Sequence, residues 1–180
     1  MALNMARLSL WPCHPAHLLT LLEQPERFEG VAGFPAAPGL REVYTSAGIS
    51  PAWLAALRKS RGPDPWRFGF FVLPRAACTA IGSAGFKGPP DAAATVEIAY
   101  CIAPGFEGQG YATEAAAALV AFAFATPGIE LVCAHTLPAR NASTRVLTKC
   151  GFRRVDAVRD PDDGQVWRWE RRRNDFPVET

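Results

Sequence analysis

The stretch that most constrains this chain runs from Thr95 to Ala125, "TVEIAYCIAPGFEGQGYATEAAAALVAFAFA". Its opening, 95–103, alternates like a strand. Val96, Ile98, Tyr100 and Ile102 fall on one face, and Glu97, Ala99, Cys101 and Ala103 on the other. From Gly110 to about Ala125 the alanine-rich run reads as a helix. Gly108 and Gly110 stand at the entrance of that helix. Glycine weakens a helix interior, so its placement here serves a tight turn or a close backbone approach to a ligand. At a helix N-terminus, where the first N–H groups lack intrahelical acceptors, such a ligand is an anion.

Two phosphate-binding patterns fail. A P-loop ends in Gly-Lys-Ser/Thr, which is missing here. "GQGYAT" loosely matches the dinucleotide pattern GxGxxG, but that turn leaves its strand at once. Here "APGFE" (103–107) intervenes, and the next strand ends in His135 and Thr136 with no acid to hold a ribose.

The flanks are regular. "HPAHLLTLLEQPERF" (14–28) has leucines at 18, 19, 21 and 22, a helical face with Pro15 near its start. "VAGFPAAPG" is a loop. "SPAWLAALRKSRG" (50–62) is an amphipathic helix with Ser50 as cap, Pro51 in the first turn and Gly62 past the end. "WRFGFFVLP" (66–74) and "CTAIGSAGFKG" (78–88) read as strands, and "GPPDAAA" (88–94) as a connection. After the Gly110 helix come a strand, "IELVCAHT" (129–136), and a helix, "NASTRVLTKCG" (141–151), capped by Asn141 and stopped by Gly151. "FRRVDAV" and "VWRWERR" are strands around the turn "DPDDGQ". This order argues for a mixed sheet with helices packed on it.

Composition narrows the function class. The chain has 180 residues, 49% hydrophobic and 20% charged, with a net charge of +2. That is the balance of one soluble globular domain, and too little charge for a nucleic-acid surface. Arg171, Arg172 and Arg173 read as a solvated strand end. No run approaches the ~20 apolar residues of a membrane span. The N-terminus lacks a basic region followed by a long apolar run, so no signal peptide and a cytoplasmic location are expected. Cys13, Cys78, Cys101, Cys133 and Cys150 are odd in number and show no CxxC spacing, and His14, His17 and His135 do not cluster with acids or cysteines. No metal site is expected.

"VEIAYCIAPGFEGQGYATEAAAALVAFAF" followed by "NASTRVLTKCGF" resembles the GNAT superfamily of acetyl-CoA-dependent N-acetyltransferases. Within it the chain is similar to the branch of ribosomal-protein N-terminal acetyltransferases of RimJ/RimL type. The likeness is strongest over 95–152, and "IGSAGFKGPP" ahead of it also fits. It implies one N-acetyltransferase domain over 1–180, with 95–152 as its acetyl-CoA-binding core. The implied fold is a mixed, mostly antiparallel sheet of about seven strands flanked by about four helices, α+β in class.

The same resemblance implies a site. The CoA pyrophosphate would lie on the amides of Gly108, Gln109, Gly110, Tyr111, Ala112 and Thr113, aided by a helix dipole worth about half a charge. The pantetheine arm would pair like an added strand with Cys101, Ile102 and Ala103 past a bulge, and an amide there would polarise the thioester carbonyl. Ser143 would lie near the leaving sulfur, since Leu147 holds the place where many relatives carry a tyrosine. Asn141 would contact the pantetheine or thioester region, or simply cap its helix. Arg145 and Lys149 would meet the adenosine phosphates or point to solvent. Glu107 departs from the family pattern, which has Arg, Gln or Trp there; a carboxylate beside the pyrophosphate opposes binding unless it turns outward.

The chemistry implied is attack of a neutral primary amine on the thioester. An α-amino group ordinarily titrates near ~8 and lysine near ~10.4, so a proton must be removed at neutral pH. Glu97, on a face of small side chains, is the candidate base, with His135 in reserve. The acceptor would be a protein N-terminus or a small-molecule amine, bound by a groove built from the loop near 29–48 and the 50–62 helix. Trp53, Trp66, Phe34 and Tyr44 in those segments line that groove or form core. No nucleic acid, membrane or metal partner is expected, and the chain is read as a monomer or homodimer. The alternative is a GNAT-like module that binds acyl-CoA or a peptide without turnover.

Overall fold

The structure, a computed structural model, describes residues 2–46, 48–161 and 164–175. It opens with two strands that the sequence reading passed over, β1 (Leu3–Asn4) and β2 (Leu8–Pro12). Leu8 and Leu10 are fully buried while Trp11 is exposed, the alternation of a half-covered strand. Helix α1 (Pro15–Glu23) buries Leu18, Leu21 and Leu22, and α2 (Phe28–Ala32) follows after a single 3-10 turn. Inside the segment read as loop lies a further helix, α3 (Leu40–Thr45). In α4 (Pro51–Lys59) the expected cap forms, with the Ser50 hydroxyl accepting from the Trp53 N–H at 3.4 Å.

The strand expected over 66–74 begins only at Phe70. Asp64 accepts from the N–H groups of Trp66 and Arg67, which starts a one-turn helix, α5 (Pro65–Phe68). Gly69, at φ +66°, then turns the chain into β3 (Phe70–Pro74). It is followed by β4 (Gly82–Phe86), β5 (Thr95–Ile102), α6 (Tyr111–Ala125), β6 (Leu131–Thr136), α7 (Ala142–Lys149), β7 (Arg153–Asp160) and β8 (Gly164–Arg172). In the turn joining the last two strands, residues 162 and 163 lie outside the described residues, as does position 47 of the 29–48 loop.

The eight described strands form one sheet in the order β1-β2-β3-β4-β5-β6-β8-β7. Every pairing is antiparallel except β5 with β6, which α6 joins as a crossover. The mixed, mostly antiparallel sheet is thus as expected, with eight strands and seven α-helices described rather than about seven and four. Alternate residues of β3 feed two cores. Phe70 and Val72 join Leu8, Leu10, Ile98, Leu119 and Leu147 under α6 and α7. Phe71 and Leu73 join Leu18, Phe28, Leu40 and Leu57 under α1 to α4.

The basic end of β8 is not the solvated strand terminus expected from its sequence. Arg173 donates to the carbonyls of Ile129 at 2.7 Å, Phe124 at 2.8 Å and Thr126 at 3.0 Å, and Arg171 donates to that of Cys150. These arginines satisfy carbonyls at the ends of α6 and α7, leaving Arg172 as the exposed one of the three.

Candidate active site

β5 and β6 pair at only three positions, Thr95↔Leu131, Val96↔Val132 and Glu97↔Cys133, and then part. On its other side β5 stays in regular register with β4 as far as Gly82↔Ile102. Lys87 N–H donates to Glu97 O at 2.9 Å, and Ala103 N–H to Ile81 O at 2.8 Å. Backbone direction alternates along such a ladder, so residues 97, 99, 101 and 103 turn their groups to β4. Tyr100 and Ile102 turn theirs to the gap that β6 has left. Of the three residues expected to meet a pantetheine arm, Ile102 alone faces the gap. Cys101 contributes a side chain to the cleft wall, and Ala103 is fully buried with its amide already used. The expected bulge does not occur within the 98–102 register.

A cleft of about 330 Å³ runs from this gap past the glycine loop. Its walls are Tyr100 to Ile102, Phe106 to Gly108, Gly110 to Thr113, and the Ser143, Arg145, Val146 and Lys149 side of α7. Gly108 and Gly110 adopt φ of +74° and +83°, left-handed values that explain their identity without any ligand. Gly110 is the N-cap of α6 and no side chain caps the helix; its first internal bond runs from Glu114 N–H to Gly110 O, 3.1 Å. The N–H groups of Tyr111, Ala112 and Thr113 therefore open onto the cleft without intrahelical acceptors. Gln109 does not line it: its carbonyl accepts from Arg7 Nη1 at 2.9 Å and its amide reaches Gly105 O at 3.5 Å. Glu107 does line it. Burial, and then the Glu107 carboxylate, push the Cys101 thiol above its ordinary range.

Helix α7 is set by a reciprocal cap. Asn141 Oδ1 accepts from Thr144 N–H at 2.9 Å while Thr144 Oγ1 accepts from Asn141 N–H at 3.0 Å. The Asn141 side chain is thus engaged within its own helix. The Tyr100 hydroxyl donates to the Ser143 carbonyl at 3.4 Å, tying β5 to the first turn of α7. Leu147 is core, fully buried.

On the opposite face of the sheet, Glu97 Oε1 accepts from Lys87 Nζ at 2.7 Å and from His135 Nδ1 at 2.9 Å. Neither partner was foreseen for it, although His135 was singled out. The signal lay in spacing: Lys87 is the residue opposite Glu97 across the β4 hairpin, and His135 lies two past Cys133, its partner on β6. Cys133, buried under the same face, is pushed up to about 11, chiefly by burial. A second cavity, about 280 Å³, is lined by Lys87, His135, Thr136, Leu137, Asn141, Ser143 and Val166. Ser143 belongs to both cavities, which places it where they meet. Trp53, Phe34 and Tyr44, expected to line a groove or form core, pack on the core beneath α1 to α4. Trp66 packs on the other core against Phe86. No group of three His, Cys, Asp or Glu among the described residues converges on a metal position, and no described helix is long and apolar enough to cross a membrane.

A sheet opened at one parallel pair beside an uncapped helix N-terminus is the architecture of an acyl-CoA-dependent acyltransferase. Residues 7–153 match the acetyltransferase (GNAT) domain, and the chain belongs to that family. It is accordingly an acetyl-CoA-dependent acetyltransferase. Its fold is similar to the ribosomal-protein-S5-alanine acetyltransferase of Vibrio fischeri, at TM-score 0.65 and 13% identity over 99% of this chain and 100% of that one. RimL, a ribosomal L7/L12 α-N-protein acetyltransferase solved with coenzyme A, matches at 0.65 and 13% over 98% and 100%. The spermidine N-acetyltransferase of Vibrio cholerae matches at 0.51 and 16%, over 59% and 65%. At these identities the likeness is one of fold. No curated protein matches the chain in sequence.

Proposed function

We propose that the chain transfers the acetyl group of acetyl-CoA to a primary amine whose carrier has no second cation nearby, a protein α-amine being the best match. The observation that carries this reading is the acceptor-side cavity. Among the described residues its polar lining is Lys87, His135, Thr136, Asn141 and Ser143, with no carboxylate. Glu97, the acid closest to it in the chain's order of strands, already accepts from Lys87 and His135. A polyamine carries further ammonium groups that need carboxylates to be desolvated, and the described residues of this cavity supply none. The end-to-end fold likeness to ribosomal-protein acetyltransferases, against a partial one to the spermidine enzyme, supports the same choice.

In this reading the CoA pyrophosphate rests on the loop at Gly108–Gly110 and the amides of Tyr111 to Thr113. The pantetheine arm fills the gap beside Tyr100 and Ile102 as a missing strand would. Ser143 hydrogen-bonds the leaving sulfur. Arg145 and Lys149, both in the cleft wall, meet the adenosine phosphates. The amine enters from the second cavity and loses its proton to the group centred on Glu97.

Thiol release from acetyl-CoA over a panel of N-terminal peptides, amino acids and spermidine tests the proposal. Peptide amines should turn over fastest. Preference for spermidine would reverse the acceptor class, and CoA binding with no thiol release on any amine would leave a binding module.

A further inference from the structure

We propose that His135 Nε2, rather than the Glu97 carboxylate, takes the proton from the acceptor amine, and that Glu97 and Lys87 are positioning residues for it. The inference rests on the acetyl-transfer reading above and assigns its proton step. Three observations carry it. First, a carboxylate oxygen only accepts hydrogen bonds, so the 2.9 Å contact of His135 Nδ1 with Glu97 Oε1 makes Nδ1 the protonated nitrogen. The remaining ring nitrogen, Nε2, then carries the lone pair. Second, the oxygen of Glu97 that holds His135 also holds Lys87 Nζ at 2.7 Å, so it is doubly occupied before any substrate arrives. Third, His135 lines the cavity that meets the CoA cleft at Ser143, and Glu97 lines neither cavity.

The arrangement has the logic of a base steadied by an acid, in which the carboxylate fixes the tautomer and stabilises the imidazolium that forms. Other charged groups face the same cluster, Arg168 lying opposite His135 in the β6–β8 register and interacting with Glu97. On β8, Arg168 Nε meets Glu170 Oε1 at 2.9 Å, and Arg172 reaches Glu170 Oε2 at 3.6 Å. The Cys133 thiol, beside Glu97, is held protonated by burial, and Asp91 accepts from the Ala93 and Thr95 N–H groups.

The step balances as follows. His135 Nε2 takes one proton from the ammonium, leaving a neutral amine. Its lone pair forms the N–C bond to the thioester carbonyl, and the C–S bond breaks. A second proton passes from the amide nitrogen to the departing sulfur, with Ser143 beside it. The proton on His135 is released to water.

Two measurements test this. The chain has three histidines, so nitrogen-15 histidine spectra of the parent, compared with His135→Gln, identify the His135 signals. An Nδ1-protonated, Nε2-bare ring is expected, and it should lose that preference in Glu97→Gln. In kinetics, His135→Gln should lower kcat/KM at pH 7 by about 10²-fold or more with acetyl-CoA binding unchanged. Glu97→Gln should cost less, because the imidazole remains and only the group that positions it is lost. An Nε2-protonated ring, or a His135→Gln variant within about threefold of the parent, overturns the assignment. So does a Glu97→Gln variant that loses more activity than His135→Gln. Absence of turnover in the parent with every amine would instead overturn the acetyl-transfer reading, and it would appear before any substitution is made.

Discussion

Glu114 ties the first strands of the chain to α6, next to the glycine loop, through a single carboxylate. Its Oε1 accepts from the backbone N–H groups of Arg7 at 2.8 Å and Leu8 at 3.1 Å, and its Oε2 from Arg7 Nε at 2.9 Å. Arg7 in turn holds the Gln109 carbonyl within the glycine loop. Glu114→Ala should therefore cost about 1–3 kcal/mol in urea unfolding, since two backbone donors lose their acceptor. Arg7→Ala should cost under about 1 kcal/mol, because its side chain is 54% exposed and its ion pair is solvent-screened. Equal losses for the two would mean that the backbone donors find water instead. Neither residue was legible as a partner of the other: they are 107 positions apart, and nothing local in "ARLSL" or "ATEAA" requires the contact.

Among elements, those with internal punctuation were legible and those set by tertiary contacts were not. Ser50 with Pro51 and Asn141 with Gly151 mark helix ends chemically, and both helices lie where those residues put them. The short α3 follows a run rich in proline and glycine and is stabilised by burial of Leu40 rather than by its own propensity. α5 was misread because "WRFGFFVLP" is rich in strand-forming aromatics, and the Asp64 cap precedes that window. The reciprocal cap of α7 carries the next expectation. Asn141→Ala should lower stability by about 1 kcal/mol in thermal or chemical unfolding. It should also raise the KM for acetyl-CoA by loosening the turn that presents Ser143. A KM unchanged despite the stability loss would separate the cap from the cleft.

At the scale of the whole molecule, most walls of the 330 Å³ cleft were legible because they come from one nearly contiguous stretch, Tyr100 to Lys149, with its glycines and caps in sequence order. The cluster around Glu97 was not, because it is assembled by sheet order. Lys87, Glu97 and His135 come from three places in the chain and meet only because β5 lies between β4 and β6. That same sheet order leaves β5 short of a partner over its second half. A ligand that pairs with the second half of β5 in the folded chain therefore contributes directly to the folding equilibrium. CoA at a hundred times its Kd should add about 2.7 kcal/mol. For a chain of this length that raises the melting temperature by roughly 5–10 °C, measurable by a thermal-shift titration. A midpoint that does not move while CoA binds would mean that the unfolded chain binds it equally well. If the midpoint rises as expected, resistance to proteolysis rises with it. The lifetime of the protein, and not only its rate of turnover, then follows the supply of its own co-substrate.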